Sequence, residues 1–151
     1  MSQIPHALFS ELDEVLERVK KVLQSVYSKS FFFEHGDVCH EKKAGSCIDH
    51  AHIHAIPVES SILKHLSHSF SPYEIKAFVD IKKQYRKKTP YFFLEQPGGR
   101  RYVFEITRQV PSQFVRRFIA QEMGIYDHWD WSVFPEFENI KKTITKLKNA
   151  F

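Results

Sequence analysis

Apolar residues at helical spacing define the first element of the chain. After Ser10 they recur every three or four residues, which is the period of a helix with one buried face. Ser10 is a favoured N-cap residue, and Glu11 and Asp13 place acidic side chains in the first turn. The pattern therefore predicts a helix over residues 10–28. Its apolar face comprises Leu12, Val15, Leu16, Val19, Val22, Leu23 and Val26.

Two extended segments are predicted after this helix. Residues 30–35 are short and aromatic, as in a buried strand, and residues 36–45 are polar, as in a loop. Residues 48–56 place histidines at alternate positions, which is the period of a strand, and Pro57 ends it. The arrangement of strand, loop and strand predicts an antiparallel pair over residues 30–57.

The second half of the chain begins with signals for a helix and a hairpin. Ser71 is followed by proline and then by glutamate two positions later, which predicts a helix that ends in the basic residues 82–88. A Pro-Gly-Gly turn at residues 97–99 separates two apolar segments, residues 91–96 and 100–107. These features predict a β-hairpin.

Two more helices complete the predicted fold. One covers residues 111–124, from a proline to a glycine, and the other is an amphipathic helix over residues 137–151. Trp129 and Trp131, in the loop between them, are predicted to be packing residues. Helices mixed with local hairpins favour an α+β fold, in which helices flank an antiparallel sheet.

Composition limits the class of protein and its partners. A chain of 151 residues suits a single domain, and no apolar run is long enough to span a membrane. Cys39 and Cys47 do not make a disulfide framework, and no signal peptide is evident, so we expect a cytoplasmic protein that does not act at a membrane. The net charge of +4 favours anionic ligands. The basic runs have little aromatic interleaving, so nucleic acid is not the expected partner.

Three histidines at a spacing of two, His50, His52 and His54, carry the candidate chemistry. On an extended strand they share one face, with roughly 7 Å between successive side chains. Burying them as a structural cluster is unfavourable, because desolvation and mutual repulsion oppose it. A zinc site could use two of them with a cysteine, but the outer pair is roughly 13 Å apart and cannot share one ion.

Nucleophilic attack on phosphorus is the third interpretation of these histidines. An unprotonated imidazole nitrogen attacks a phosphoryl centre and forms a phosphoramidate, which water or another acceptor then cleaves. Neighbouring histidines in a partly apolar site lower the pKa of the nucleophile and keep it unprotonated. Backbone N–H groups near residues 45–47 could stabilise the charge that develops on the phosphate.

Residues 50–56 resemble the histidine-triad (HIT) motif, His-φ-His-φ-His-φ-φ, of a superfamily of nucleotide hydrolases and transferases. The segment Phe33-Glu34-His35-Gly36 resembles the strand end that precedes the active-site loop in that family. The resemblance covers about residues 8–58. It implies a single HIT-like domain over residues 1–151, in which this core is joined by the hairpin and helices of residues 71–151.

The resemblance also implies a role for individual residues. His52 is the nucleophile that becomes nucleotidylated, His54 contacts the scissile or departing phosphate, and His50 supports the site. Ser46 and Cys47 stand where the family places small polar phosphate contacts.

Two further residues are candidate contacts to the substrate. The resemblance places Glu34 where the family often has an amide that touches ribose or phosphate. Lys43, in the polar loop, could reach over the phosphate site.

The expected function is hydrolysis or nucleotidyl transfer on a dinucleoside polyphosphate, a nucleoside phosphoramidate or another phosphate-linked nucleotide conjugate. No metal or other cofactor is needed for the nucleophilic step, although Mg²⁺ can accompany a polyphosphate. A homodimer is compatible with this interpretation. Two alternatives stay open: a catalytically silent protein that binds nucleotide or RNA, and a zinc site on His50, His52 and a cysteine.

The family usually has a β-hairpin and another strand before the first helix, and these form much of its nucleoside pocket. Here nine residues precede Ser10. We therefore expect either a shortened member without those strands or one in which later elements, such as residues 91–107, replace the missing walls.

Overall fold

The computed structural model describes residues 1–38, 50–59 and 62–150. The fold is α+β, with a five-stranded antiparallel sheet that is not closed and helices packed against it. The strand order is β2-β1-β4-β5-β3. The strands are β1 (Phe31–Gly36), β2 (His54–Ile56), β3 (Pro72–Ile75), β4 (Tyr91–Glu95) and β5 (Arg101–Glu105). The α-helices are α1 (Phe9–Val26), α2 (Leu63–Ser69), α3 (Lys82–Lys87), α4 (Phe114–Glu122) and α5 (Phe137–Leu147), with 3₁₀ turns at His6–Leu8 and Phe78–Ile81.

The central strand β4 is buried on both faces of the sheet. Phe92 and Leu94 point into one hydrophobic core, and Tyr91 and Phe93 point into the other. All four side chains are fully excluded from solvent. This alternation follows from the two-residue period of a strand, and it explains why the segment is apolar at every position.

The first core lies between the sheet and the helices α2 and α4. Leu66 of α2 and Val115 of α4 are fully buried against it. The rings of Phe92 and Phe114 stack with their centroids 5.8 Å apart. This face of the sheet carries the candidate site, so α4 is held in place beside the site by aromatic packing.

The second core lies under α1, which is also joined to the sheet by ion pairs. Glu95, at the end of β4, is 1% exposed and accepts a hydrogen bond of 2.7 Å from Arg101 Nε. The ammonium group of Lys20 pairs with the same carboxylate. The guanidinium of Arg101 also reaches Asp13 of α1 at 2.7 Å. A buried carboxylate shared by two cations couples the helix to the hairpin.

The structure confirms most of the predicted elements. The antiparallel pairing of β1 with β2, the β4–β5 hairpin, and the helices α1, α4 and α5 lie close to their predicted positions. Helix α1 begins at Phe9 rather than at Ser10, because the 3₁₀ turn at His6–Leu8 runs directly into it. Ser10 therefore lies inside the first turn and is not the N-cap.

The helix predicted to start at Ser71 is wrong. Pro72–Ile75 forms the edge strand β3, which pairs with β5 through Pro72↔Phe104 and Ile75↔Arg101. Pairing with an existing hairpin outweighs the local helix-start signal, and an edge strand tolerates a proline at its first residue. The helix begins only at Lys82, after the 3₁₀ turn.

Candidate active site

The pairing of β2 with β1 places His54 against the aromatic face of β1. Phe33 is the register partner of His54, and the two rings stack with their centroids 4.4 Å apart. His35 lies two residues along β1, on the same face as Phe33, and its ring centroid is 6.1 Å from that of His54. The sheet thus fixes one histidine by stacking and brings a second one beside it.

The three histidines of the motif lie in one continuous cluster. The ring centroids are 5.6 Å apart for His50 and His52 and 4.7 Å apart for His52 and His54. The predicted strand extends too far, because β2 begins only at His54 and residues 50–53 are not in a strand. This departure from extended geometry brings the rings closer together than the roughly 7 Å expected for alternate positions on a strand.

A backbone hydrogen bond fixes the tautomer of His52. Its Nδ1 lies 3.0 Å from the carbonyl oxygen of His50. A carbonyl oxygen only accepts, so Nδ1 carries the proton and donates it. In the neutral ring Nε2 is then left with a free lone pair, which is the form that a nucleophile requires.

The imidazole of His54 is neutral at physiological pH. Burial is the main cause, and electrostatic repulsion from the neighbouring His52, His35 and Arg116 acts in the same direction. Together they lower the pKa of His54 from 6.5 to about 4. A neutral imidazole can donate one hydrogen bond and accept another, so His54 can contact a phosphate oxygen.

A cavity of about 880 Å³ opens beside these rings. His35, His52 and His54 line it together with residues of α4 and of the segment after α4, whereas His50 does not line it. From the sheet side it is lined by Phe33, His35, His52, His54, Ile56, Pro57 and Val58. From the opposite side it is lined by Ser112, Gln113, Arg116, Ile119, Ala120, Met123, Ile125, His128, Trp131, Glu136 and Asn139.

The structure does not bring Glu34 to this cavity. Its side chain follows Phe32 onto the other face of β1, where the Tyr91 hydroxyl donates to Oε2 at 2.9 Å and the amino nitrogen of Met1 pairs with Oε1. Burial raises the pKa of this carboxyl group. The other predicted phosphate contacts, Ser46, Cys47 and Lys43, lie outside the described residues.

None of the site residues predicted from the sequence belongs to the wall formed by α4 and the segment after it. Among the described residues, Arg116 of α4 is the arginine or lysine side chain that lines the cavity. Trp131, predicted to be a packing residue, is 57% exposed and lines the cavity instead. His35 could have been found, because it alternates with Phe33 on a strand predicted to pair with the histidine strand.

Two residues of this wall have a left-handed backbone. Gln113 has φ 59° and Glu136 has φ 53°, and each directly precedes a helix. Such a conformation costs a residue with a side chain about 1–2 kcal/mol, and it is concentrated at functional sites. The two segments are tied together, because the backbone N–H of Trp131 donates to Gln113 Oε1 at 3.3 Å.

The described part of the chain contains neither a preformed group of metal ligands nor a membrane-spanning helix. Within residues 1–38, 50–59 and 62–150, no group of three or more histidine, cysteine, aspartate or glutamate side chains is placed to hold a metal ion. Both cysteines lie outside those ranges. None of the helices described is long and apolar enough to cross a bilayer.

Comparison with known proteins gives no relative from which a function could be transferred. No protein-family model matches the chain. A search of curated proteins also finds no match. Any functional inference for this chain therefore depends on its own residues and their geometry.

Proposed function

We propose that the protein is a nucleotide hydrolase or nucleotidyl transferase that uses His52 as a covalent nucleophile. The observation that carries the proposal is the 3.0 Å hydrogen bond from His52 Nδ1 to the carbonyl of His50. In the neutral ring this bond leaves the lone pair on Nε2, and the ring lines a ligand-sized cavity. The substrate class is a phosphate-linked nucleotide conjugate, such as a dinucleoside polyphosphate or a nucleoside phosphoramidate.

The reaction has two displacement steps at phosphorus. The Nε2 lone pair of His52 attacks the phosphorus, a nitrogen–phosphorus bond forms, and the leaving group departs with the electrons of its own bond to phosphorus and takes up a proton. Water or another acceptor then attacks the phosphorus and gives up a proton. The nitrogen–phosphorus bond breaks, and its electron pair returns to Nε2.

The surrounding groups suit this chemistry. While Nε2 is bonded to phosphorus the imidazole is cationic, and the carbonyl of His50 accepts from its N–H. Arg116 supplies positive charge on the facing wall, where it acts on the imidazole of His54. His54 is neutral, so it can donate to a phosphoryl oxygen without repelling the positive charge that forms on His52.

Intact-mass spectrometry of the protein after brief exposure to a nucleoside 5′-phosphoramidate tests the proposal. The wild type should gain the mass of one nucleotidyl group and turn the substrate over. His52→Ala should do neither, while His68→Ala, an exposed position on α2, should behave as the wild type. Full turnover by His52→Ala, or nucleotide binding without adduct or turnover in the wild type, would overturn the covalent mechanism.

A further inference from the structure

The proposed reaction uses only one end of the cavity. The phosphorus must lie beside His52, yet the cavity of about 880 Å³ continues to the segment between α4 and α5. Sites for small molecules typically occupy about 300–1,000 Å³, so there is room for a ligand much larger than a phosphate. The side chains that this segment contributes to the cavity indicate which kind of ligand it can bind.

Glu136 presents a fixed carboxylate at the second end. His128 Nδ1 lies 2.8 Å from Oε1, and Asn139 Nδ2 donates to Oε2 at 2.7 Å. The side chain remains 38% exposed and lines the cavity. Each oxygen accepts one bond from the protein and keeps acceptor capacity, so the group can accept from a ligand hydroxyl at both oxygens. A pair of adjacent hydroxyls, as on a ribose ring, matches a carboxylate of this kind.

The backbone of Glu136 points to the same conclusion. Three residues other than glycine have a positive φ in the described part of the chain, and Glu136 and Gln113 both line this cavity. Contacts on both sides hold the strained residue in place: His128 and Asn139 fix the carboxylate, and α5 begins at the next residue. A strained and fixed side chain at a cavity wall is the arrangement expected of a ligand contact.

Exposed apolar side chains line the same cavity as this carboxylate and the histidines. Met123 is 51% exposed, Ile125 is 40% exposed and Trp131 is 57% exposed, and all three line the cavity. Large apolar side chains left in contact with solvent at a cavity mark a place where a ligand covers them. The indole ring offers a flat surface on which an aromatic base can stack.

We infer that the segment between α4 and α5 forms the nucleoside-binding wall, with Glu136 accepting hydrogen bonds from the ribose hydroxyls and Trp131 contacting the base. This inference rests on the proposed function, because it assumes that the phosphate lies beside His52. It makes ribonucleotide conjugates the preferred substrate class over their 2′-deoxy counterparts. It also places the walls of the nucleoside pocket in the C-terminal part of the chain.

Equilibrium binding of adenosine 5′-monophosphate and 2′-deoxyadenosine 5′-monophosphate, measured by calorimetry, tests the inference independently of turnover. The wild type should bind the ribonucleotide about tenfold more tightly, because a hydrogen bond to a charged acceptor is lost in the deoxy compound. Glu136→Gln should reduce this ratio to within about threefold, since a neutral acceptor binds a hydroxyl less strongly. The matched control is Glu138→Gln, at an exposed glutamate that pairs with Lys141, and it should keep the wild-type ratio.

Trp131→Ala provides a second variant in case Glu136→Gln disturbs the start of α5. It should weaken the binding of both nucleotides by a similar factor, so the ratio of their dissociation constants should not change. Equal binding of the two nucleotides by the wild type, with the nucleotidyl adduct still formed, overturns the inference and leaves the proposed function standing. A tenfold ratio that depends on Glu136, without any adduct, supports the inference and overturns the covalent mechanism. Absence of binding overturns the inference, and it overturns the proposed function as well only if the nucleotidyl adduct is also absent.

Discussion

The half-buried imidazole of His54 makes the stability of this protein depend on pH. Its pKa is lowered from 6.5 to about 4, chiefly by burial. Between these two values the unfolded chain binds a proton that the folded protein excludes. Stability is therefore unaffected by this group at neutral pH and falls as the pH drops from 6.5 towards 4.

The magnitude follows from the same two pKa values. If the whole lowering of the pKa comes from folding, proton linkage makes the free energy of unfolding at about pH 5 lower by about 2 kcal/mol than at neutral pH. Solvent reaches part of the ring and screens the charge, so we expect about half of this, or about 1 kcal/mol.

Urea unfolding of the wild type and His54→Phe at about pH 7 and about pH 5 measures this contribution. Phenylalanine retains an aromatic ring beside Phe33, on which His54 stacks at 4.4 Å, and it removes the titrating group. From about pH 7 to about pH 5, the free energy of unfolding of the wild type should fall by about 1 kcal/mol more than that of the variant. Other histidines and carboxylates titrate in both proteins, so only the difference between the two losses is attributed to His54.

His68→Phe makes the same exchange at an exposed position on α2 and should respond to pH as the wild type does. If His54→Phe loses as much free energy of unfolding as the wild type between the two conditions, or more, then His54 does not cause the loss of stability at low pH.

Further predictions concern substrate binding and stability. Arg116→Gln should raise KM for a nucleotide conjugate about tenfold, since a charge-assisted contact to phosphate is lost, and steady-state kinetics with an unchanged KM would contradict this. Lys88→Gly should raise the free energy of unfolding by about 0.5–1 kcal/mol, because Lys88 has φ 51° at the end of α3. Gln113→Gly should raise the free energy of unfolding by a similar amount but weaken nucleotide binding. Unchanged binding would argue that the cavity wall formed by α4 and the segment after it does not contact the nucleotide. Glu95→Ala should lower the free energy of unfolding by about 3 kcal/mol, because the cations that it pairs with lose their buried partner, and a loss below about 1 kcal/mol would contradict the importance of that ion pair.

Short-range pattern was sufficient to predict the sheet face that carries the histidines. Alternation predicts that His50, His52 and His54 share one face and that residues 30–57 form an antiparallel pair, and the structure adds the register that sets Phe33 opposite His54. The aromatic strand Tyr91–Glu95 could also be predicted, because a strand buried on both faces is apolar throughout. The turn after it could be predicted from its proline and glycines. In these elements the local preference and the tertiary structure agree.

Where tertiary contacts decide the outcome, the pattern was insufficient. The sequence from Ser71 carries favourable helix-start residues, but β5 offers an unpaired edge, and pairing to it makes Pro72–Ile75 a strand. An apolar spacing that fits both structures cannot distinguish them. The periodicity of α5 was read correctly, yet Phe137, Ile140 and Ile144 are 66%, 49% and 61% exposed, so an amphipathic pattern alone does not say what the apolar side packs against.

The far wall of the cavity was the least predictable part of the site. Arg116 and Glu136 are separated from the histidines by more than sixty residues of sequence, and neither belongs to a motif. Their place in the same cavity as His52 results from the packing of α4 on the sheet and from the turns that follow it. Only the left-handed backbone of Glu136 and the exposed indole of Trp131 distinguish this segment, and both are properties of the folded chain.

The separation between the histidine strand and the facing wall affects how the protein tolerates substitution. The histidine end is built on β1, whose phenylalanines belong to the main cores, and on β2, whose Ala55 and Ile56 pack against them, so changes there carry a penalty of altered packing. Met123, Ile125 and Trp131 belong to neither core and are largely exposed, so most exchanges at these positions should change the free energy of unfolding by less than about 0.5 kcal/mol. A library randomised at these three positions would sample new ligand preferences in a scaffold that still folds, and sequences that share the histidine strand could diverge in specificity by the same route.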